Sequence, residues 1–128
     1  MLHVAYAVLL ALAVAFNWSD RRALLLTLVV GMSVFLPAPH TSAIAFYGFC
    51  FLAEALVALI AIRLAAGATE LIVSICVVLE IAHIMGYILN GYPPLSAYRV
   101  IIPLLESAQL VTCICTSPVL LTRLRNRK

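Results

Sequence analysis

Residues 70–89, ELIVSICVVLEIAHIMGYIL, decide the fold class of this chain. The segment is apolar almost throughout, and about 20 apolar residues are what an α-helix needs to cross the hydrocarbon core of a bilayer. Water is absent from that core, so the backbone must hydrogen-bond to itself, which a helix does within one segment. The segment therefore predicts a transmembrane helix, although it carries Glu80 and His83.

The composition of the whole chain extends this prediction to the rest of the protein. Of its 128 residues, 66% are hydrophobic and 10% are charged, whereas soluble domains have roughly 45–50% apolar and about 25% charged residues. A small soluble protein has much surface for its volume, and so few charged side chains cannot cover it. We therefore expect an all-α, polytopic integral membrane protein.

Five apolar segments separated by short breaks predict an up-and-down bundle of five transmembrane helices with short loops. The expected spans are residues 2–18, 22–38, 42–62, 70–89 and 100–121, followed by a basic cytoplasmic tail at 122–128. Pro37 and Pro39 end the second span, whose short apolar run also allows a tilted or re-entrant element. All spans form one domain. The first is interpreted as a retained span, because no basic residues precede its apolar run as they would in a signal peptide.

The basic residues predict the orientation of the bundle. With the N-terminus outside, the cytoplasmic side receives all of them except Arg99, namely Arg21, Arg22, Arg63, Arg123, Arg125, Arg127 and Lys128. The positive-inside rule favours this arrangement, and the short loops suit a bacterial inner membrane. Trp18, Tyr92 and Tyr98 fall at predicted boundaries, where aromatic side chains settle. The basic tail predicts contact with lipid headgroups and no binding of nucleic acid.

The last three spans each carry a face of polar side chains. Glutamates within a membrane are costly, usually face a bundle interior or a watery cavity, and are functional candidates. The residues that share a face at helical spacing are Tyr47, Cys50 and Glu54 in the third span, Cys76, Glu80, His83, Tyr87 and Asn90 in the fourth, and Glu106, Gln109, Cys113 and Thr116 in the fifth. We expect the three faces to turn toward each other or toward a partner chain.

Two interpretations of this polar interior stay open. Glu54 and Glu80 fall near the membrane midplane, and Glu106 lies in the outer half. Together with His83 they can form a ladder that passes protons or ions, and Pro103 can kink the fifth span beside it. Alternatively, neutral glutamic acids hydrogen-bond across helices and only hold the bundle together, at about 1 kcal/mol each.

Glu80 and His83 also form an ExxH pattern, which is half of the di-iron bundle signature. The full signature needs a second ExxH, and the chain has none. A metal ion held by these two residues in a small membrane enzyme is the minor alternative, and we expect neither an enzyme nor a cofactor. The four cysteines lie in apolar runs, where they are typical of buried free thiols.

These observations predict a small multi-span protein that forms a pore or an ion or proton pathway. The candidate residues of its interior are Glu54, Glu80, His83, Glu106, Gln109, Tyr87 and Cys76. In its size, tight hairpins, lack of soluble domains and basic C-terminal tail, the chain resembles phage-encoded lysis proteins of the holin type, which implies self-assembly into membrane lesions. A non-catalytic subunit of a larger membrane complex is the alternative. We therefore expect a homo-oligomer or a larger membrane complex.

Overall fold

A computed structural model of the chain describes residues 2–90 and 96–127, and only the backbone of Asn90. Within these residues the protein is all-helical, as predicted. Its elements are α1 (Leu2–Asn17), α2 (Arg21–Phe35), α3 (Ala43–Leu64), α4 (Thr69–Asn90), α5 (Ser96–Cys115) and α6 (Pro118–Arg125). The predicted boundary residue Tyr92 and the tail residue Lys128 lie outside the described residues, as does the side chain of Asn90.

Three of the helices, α3, α4 and α5, are long and apolar enough to cross a membrane, whereas α1 is apolar but shorter. The outer surface of the bundle is covered by large apolar side chains. Among the most exposed are Ile44, Leu52, Ile88 and Leu104, at 65–70% of their full accessibility. Exposed apolar surface on this scale suits lipid as the solvent. The structure therefore supports a membrane protein.

α1 and α5 lie side by side and run in the same direction. The Tyr6 hydroxyl, near the start of α1, lies 3.2 Å from the carbonyl oxygen of Pro103. At the other end, the side-chain amide of Asn17 donates to the carbonyl oxygen of Cys113 at 2.9 Å. A parallel first and fifth helix is what an up-and-down order of five helices requires.

The first helix is not the purely apolar packing element that its composition suggests. Ala7, Ala11 and Ala15 stand at i, i+4 and i+8, a spacing that predicts a small-residue face for close helix contacts, but all three are exposed. The buried residues are instead Tyr6, Ala13 and Asn17. This expectation was wrong because unpaired polar groups are costly in lipid, so Tyr6 and Asn17 turn inward and set the rotation of the helix.

The fifth predicted span, residues 100–121, is not one continuous helix. α5 begins earlier, at Ser96, and ends at Cys115, and α6 follows from Pro118. Pro118 lacks an N–H and clashes with the carbonyl four residues before it, so it starts a new helix. The buried hydroxyl of Ser117 donates to the carbonyl oxygen of Phe16, which fixes the break against α1. The predicted tail is thus partly helical. The other four helices end within three residues of their predicted bounds.

α3 and α4 form a tight hairpin. Ala65 caps α3 in the left-handed conformation, with φ of 48°. The Thr69 hydroxyl at the start of α4 donates back to the carbonyl oxygen of Ala61 at 3.0 Å. Ala61 is fully buried and small, so the two helices can approach closely. The hairpin therefore holds the interior faces of α3 and α4 against each other.

Gly86 in α4 provides a test of this packing. A Cβ at Gly86 would lie 2.7 Å from Cε1 of Tyr47 and 3.0 Å from Cδ2 of Tyr98, and rigid ring atoms cannot move aside cheaply. Gly48 in α3 is the matched control, because its Cβ would meet no atom within 4 Å. We expect Gly86→Ala to lower the free energy of unfolding by about 1–3 kcal/mol relative to Gly48→Ala. Unfolding in detergent micelles measures both, and equal stabilities would contradict the packing.

Candidate functional site

Three predicted candidates from three different helices meet in the interior. The side-chain amide nitrogen of Gln109 in α5 donates to Oε2 of Glu54 in α3 at 3.0 Å. It also lies 3.3 Å from Sγ of Cys76 in α4. All three are buried, with Gln109 and Cys76 at 0% exposure and Glu54 at 5%. The polar faces of α3, α4 and α5 therefore turn toward each other.

This central group is incompletely hydrogen-bonded. Oε1 of Gln109 is buried and has no partner among the residues that the structure describes. An unpaired buried acceptor costs about 1–3 kcal/mol. Rotating the amide by 180° would give the oxygen a partner but leave the nitrogen without one, because both ends of an amide form hydrogen bonds. The Gln109 oxygen can therefore accept a hydrogen bond from a further donor, and after the 180° rotation it faces Glu54, which can donate to it when protonated.

Glu106 is paired with α1. The Tyr6 hydroxyl donates to Oε2 of Glu106 at 2.8 Å, and Tyr6 is only 2% exposed. Tyr6 was not among the predicted residues of the polar interior. The sequence spacing does indicate its position, because Tyr6, Ala13 and Asn17 stand at i, i+7 and i+11 and so share one helical face.

His83 is paired with Tyr98 rather than with Glu80. Nδ1 of His83 lies 2.6 Å from the Tyr98 hydroxyl, and the tautomer of the imidazole decides which group donates. The ring of Tyr98 packs edge-on against Tyr47, with centroids 5.3 Å apart, and against Phe46 at 6.3 Å. Tyr98 lies in the first turn of α5, near the predicted membrane boundary, and its hydroxyl reaches His83 at the polar interior.

A cavity of about 180 Å³ joins these pairs. We call it the carboxylate cavity, and its lining includes Glu54, Glu106, His83, Tyr98, Cys50, Ser33, Phe46 and Phe49, together with apolar residues of α2, α5 and the α2–α3 loop. It lies in the half of the bundle where α3 and α5 begin. Among the described residues that line it, none is lysine or arginine. The two carboxyl groups therefore have no cationic side chain beside them in the cavity.

A second cavity, also of about 180 Å³, lies at the opposite end, where α1 and α3 finish. We call it the asparagine cavity, and its lining includes Asn17, Asp20, Thr27, Gly67, Cys113, Thr116 and Leu121. Along α5, Glu106 lines the first cavity and Cys113, two turns later, lines the second, which is about 10 Å at the helical rise.

Along the helices, a layer of buried side chains lies between the residues of the two cavities. Its members are at most 2% exposed and include Val30, Val57, Cys76, Gln109 and Leu110. Val30, Val57 and Leu110 are apolar, whereas Gln109 and Cys76 bring polar atoms into the layer. Because Gln109 is bonded to Glu54 in the carboxylate cavity, the polar interior extends from that cavity into the layer.

Two predicted interior residues lie elsewhere. The buried residues of α4 are Ile72, Cys76, Leu79, His83 and Gly86. Glu80 lies at the edge of this face, only partly buried, and lines neither cavity. Tyr87 is 47% exposed and lines an apolar groove of about 400 Å³ between α3 and α4. Glu80 and Tyr87 lie outside the group of Glu54, Gln109 and Cys76, because the part of α4 that faces this group is narrower than the predicted polar face.

The structure gives no support to the metal alternative. Its described residues contain no group of three or more histidine, cysteine, aspartate or glutamate side chains that could hold a metal ion. Glu80 and His83 stand in the ExxH pattern, but His83 is hydrogen-bonded to Tyr98 and no facing carboxylates complete a ligand set with them within these residues.

Comparison with known proteins adds no relative: no family model, no curated protein and no solved structure matches the chain. The resemblance to holins stays one of general layout. The geometry and chemistry of the polar interior are therefore the basis for a functional assignment.

The pairing of Tyr6 with Glu106 can be tested by removing one oxygen atom. We expect Tyr6→Phe to lower the free energy of unfolding by about 1–2 kcal/mol, because it leaves Glu106 without its donor in the interior. Tyr87→Phe is the matched control, since it removes the same hydroxyl from a half-exposed ring. Thermal unfolding in detergent micelles compares the two. A Tyr6→Phe protein as stable as Tyr87→Phe would disprove the structural importance of this bond.

Proposed function

We propose that this chain is an integral membrane protein of five transmembrane helices that moves protons or small cations through its own interior. The observation that carries the proposal is the pair of cavities at opposite ends of the bundle, separated by about two turns of α5. Intramembrane carboxylates beside a cavity are typical of ion and proton paths, and Glu54 and Glu106 both line the carboxylate cavity.

Two observations support five spans although α1 and α2 have only 16 and 15 residues. Contacts join α1 to α5 at Pro103 and at Cys113, so α1 lies alongside at least half of that apolar helix. α2 lines the asparagine cavity with Thr27 and the carboxylate cavity with Ser33, so it passes the separating layer. Short helices can cross where the bilayer thins or where loop residues complete the span.

The distribution of charge supports an orientation. The basic residues at the end where α1, α3 and α5 finish are all exposed, namely Arg21, Arg22, Arg63, Arg123, Arg125 and Arg127. Arg99 stands near the start of α5, at the other end. The positive-inside rule then makes the arginine-rich end cytoplasmic and the N-terminus external, in a bacterial inner membrane. The carboxylate cavity would face outward and the asparagine cavity inward.

Reporter fusions test this topology. We expect a green fluorescent protein fused after Lys128 to fluoresce in bacteria, because the C-terminus is cytoplasmic. Alkaline phosphatase fused at the same position should be inactive, since it needs the oxidising periplasm to form its disulfides. Active phosphatase with a dark fluorescent fusion would refute the proposed orientation.

The location of the polar residues favours a pathway within one chain. Glu54, Gln109 and Cys76 are buried inside a single bundle, whereas a lesion assembled from many copies would place its polar faces between chains. A homo-oligomer, if it forms, is therefore not needed to line the pathway.

The residues suggest how a charge would move. Glu106 and Glu54 accept a proton or pair with a cation in the carboxylate cavity. The Gln109 amide donates to Glu54 through its nitrogen, and a 180° turn of the amide lets its oxygen accept a hydrogen bond when Glu54 is protonated. A rearrangement of the apolar layer around Val30, Val57 and Leu110 must then connect Glu54 to the asparagine cavity, since these side chains close the route in the observed state.

Flux measurements test the proposal directly. Liposomes that contain the purified protein should dissipate an imposed proton gradient, and the Glu106→Gln and Glu54→Gln proteins should lose this flux, since glutamine cannot ionise. Glu70→Gln is the control, because Glu70 is an exposed carboxylate in the first turn of α4. Wild-type protein without flux of protons or any monovalent cation would overturn the proposal. Flux lost in Glu80→Gln but retained in Glu106→Gln would refute the assigned route.

A further inference from the structure

The carboxylate cavity combines two features that point to a ligand. Its lining includes the aromatic residues Phe46, Phe49 and Tyr98 and the acidic residues Glu54 and Glu106. Aromatic faces attract cations through the ring quadrupole, and aromatic enclosures are the usual recognition sites for alkylammonium groups. Carboxylates supply the counter-charge, and the described lining contains no lysine or arginine that would already neutralise them.

From this combination we infer that the cavity binds a compact organic ammonium ion and releases a proton in exchange. The inference rests on the proposed function, because it names the class of cation that the pathway carries. It needs both the ring walls and the carboxylates, which come from α3 and α5 and meet only in the folded bundle.

The size of the cavity limits the ligand. Its volume of about 180 Å³ is below the roughly 300–1,000 Å³ of sites for drug-sized molecules. A small alkylammonium ion fits this space, and a large multi-ring cation does not. The limit therefore selects ions of the size of tetramethylammonium or choline.

The chemistry of the walls favours an organic cation over an alkali metal ion. Na⁺ and K⁺ give up their water shell only to a set of oxygen ligands. Much of the described lining is instead apolar, with Val34, Leu36, Ala38, Ala53 and Ile102 beside the aromatic rings. An alkylammonium ion is weakly hydrated and is stabilised by such surfaces, while one or two carboxylates balance its charge.

The exchange step conserves charge and atoms. The O–H bond of a protonated Glu106 breaks, its proton leaves to water through the cavity, and the ammonium ion pairs with the carboxylate that remains. No covalent bond to the ligand forms. When a proton returns to Glu106, the ion loses its counter-charge and is released.

Proton competition makes binding depend on pH. Tyr6 from α1 donates to Glu106, and the other titratable residues that line the cavity are Cys50 and Glu54 from α3, His83 from α4 and Tyr98 from α5. α2 contributes the uncharged Ser33. None of these groups carries a fixed positive charge. Binding should therefore weaken as the pH falls and protons occupy Glu106 and Glu54.

A pair of matched probes tests the inference. Choline and 3,3-dimethyl-1-butanol have the same shape, but choline carries a quaternary nitrogen where the alcohol has a carbon. We expect calorimetry on the full-length protein in detergent micelles to show choline binding about tenfold or more tighter than the alcohol. In weak buffer, choline should also acidify the solution, since each bound ion displaces a proton. Equal affinities for the two probes would overturn the inference.

Variants locate the site. Glu106→Gln should abolish the proton release and weaken choline binding by about tenfold, while Phe49→Leu should weaken binding and leave proton release per bound ion unchanged. Glu70→Gln should match the wild type in both measurements. Melting temperatures confirm that each variant is folded. Wild-type choline affinity in a folded Glu54→Gln, Glu106→Gln double variant would contradict the assignment.

The two proposals can fail separately. If liposomes show proton flux but choline does not bind, the organic cation is wrong and the pathway stands. If choline binds with proton release but the liposomes show no flux of protons or of choline, the site stands and transport is wrong.

Discussion

The structure depends on one constraint, which is that polar groups inside a lipid-embedded bundle must find partners within the chain. Lipid tails are as apolar as leucine, so burial of apolar side chains alone cannot decide which way each helix turns. Hydrogen bonds can. The bond from Tyr6 to Glu106 orients α1 against α5, and the bond from Gln109 to Glu54 orients α5 against α3. These few bonds set the rotation of the helices that surround the interior.

The two halves of the interior contain different polar groups. The half where α3 and α5 begin holds two carboxyl groups and several aromatic rings. The other half offers mainly amide, hydroxyl and backbone groups, with Asp20 engaged in capping α2 through the amides of Arg22 and Ala23. The acidic and aromatic side chains are therefore concentrated in the first cavity.

The layer between the cavities contains both apolar and polar side chains. Val30, Val57 and Leu110 are apolar, whereas Cys76 and Gln109 bring polar atoms into it. Oε1 of Gln109 has no partner among the described residues. Because Gln109 is also bonded to Glu54, the polar network reaches from the carboxylate cavity into this layer.

The sequence by itself determined the helical class, the approximate ends of the first four helices and the polar faces that bring Glu54, Gln109 and Cys76 together. Apolar run length and helical periodicity are local properties, and lipid leaves no other backbone structure available. Only the tertiary structure decided that Tyr6 joins Glu106, that His83 pairs with Tyr98 and that Glu80 stays at the edge. Periodicity defines the face of one helix, but which part of that face meets a neighbour depends on all helix pairings at once. The two cavities arise from those pairings, so no single stretch of sequence could reveal them.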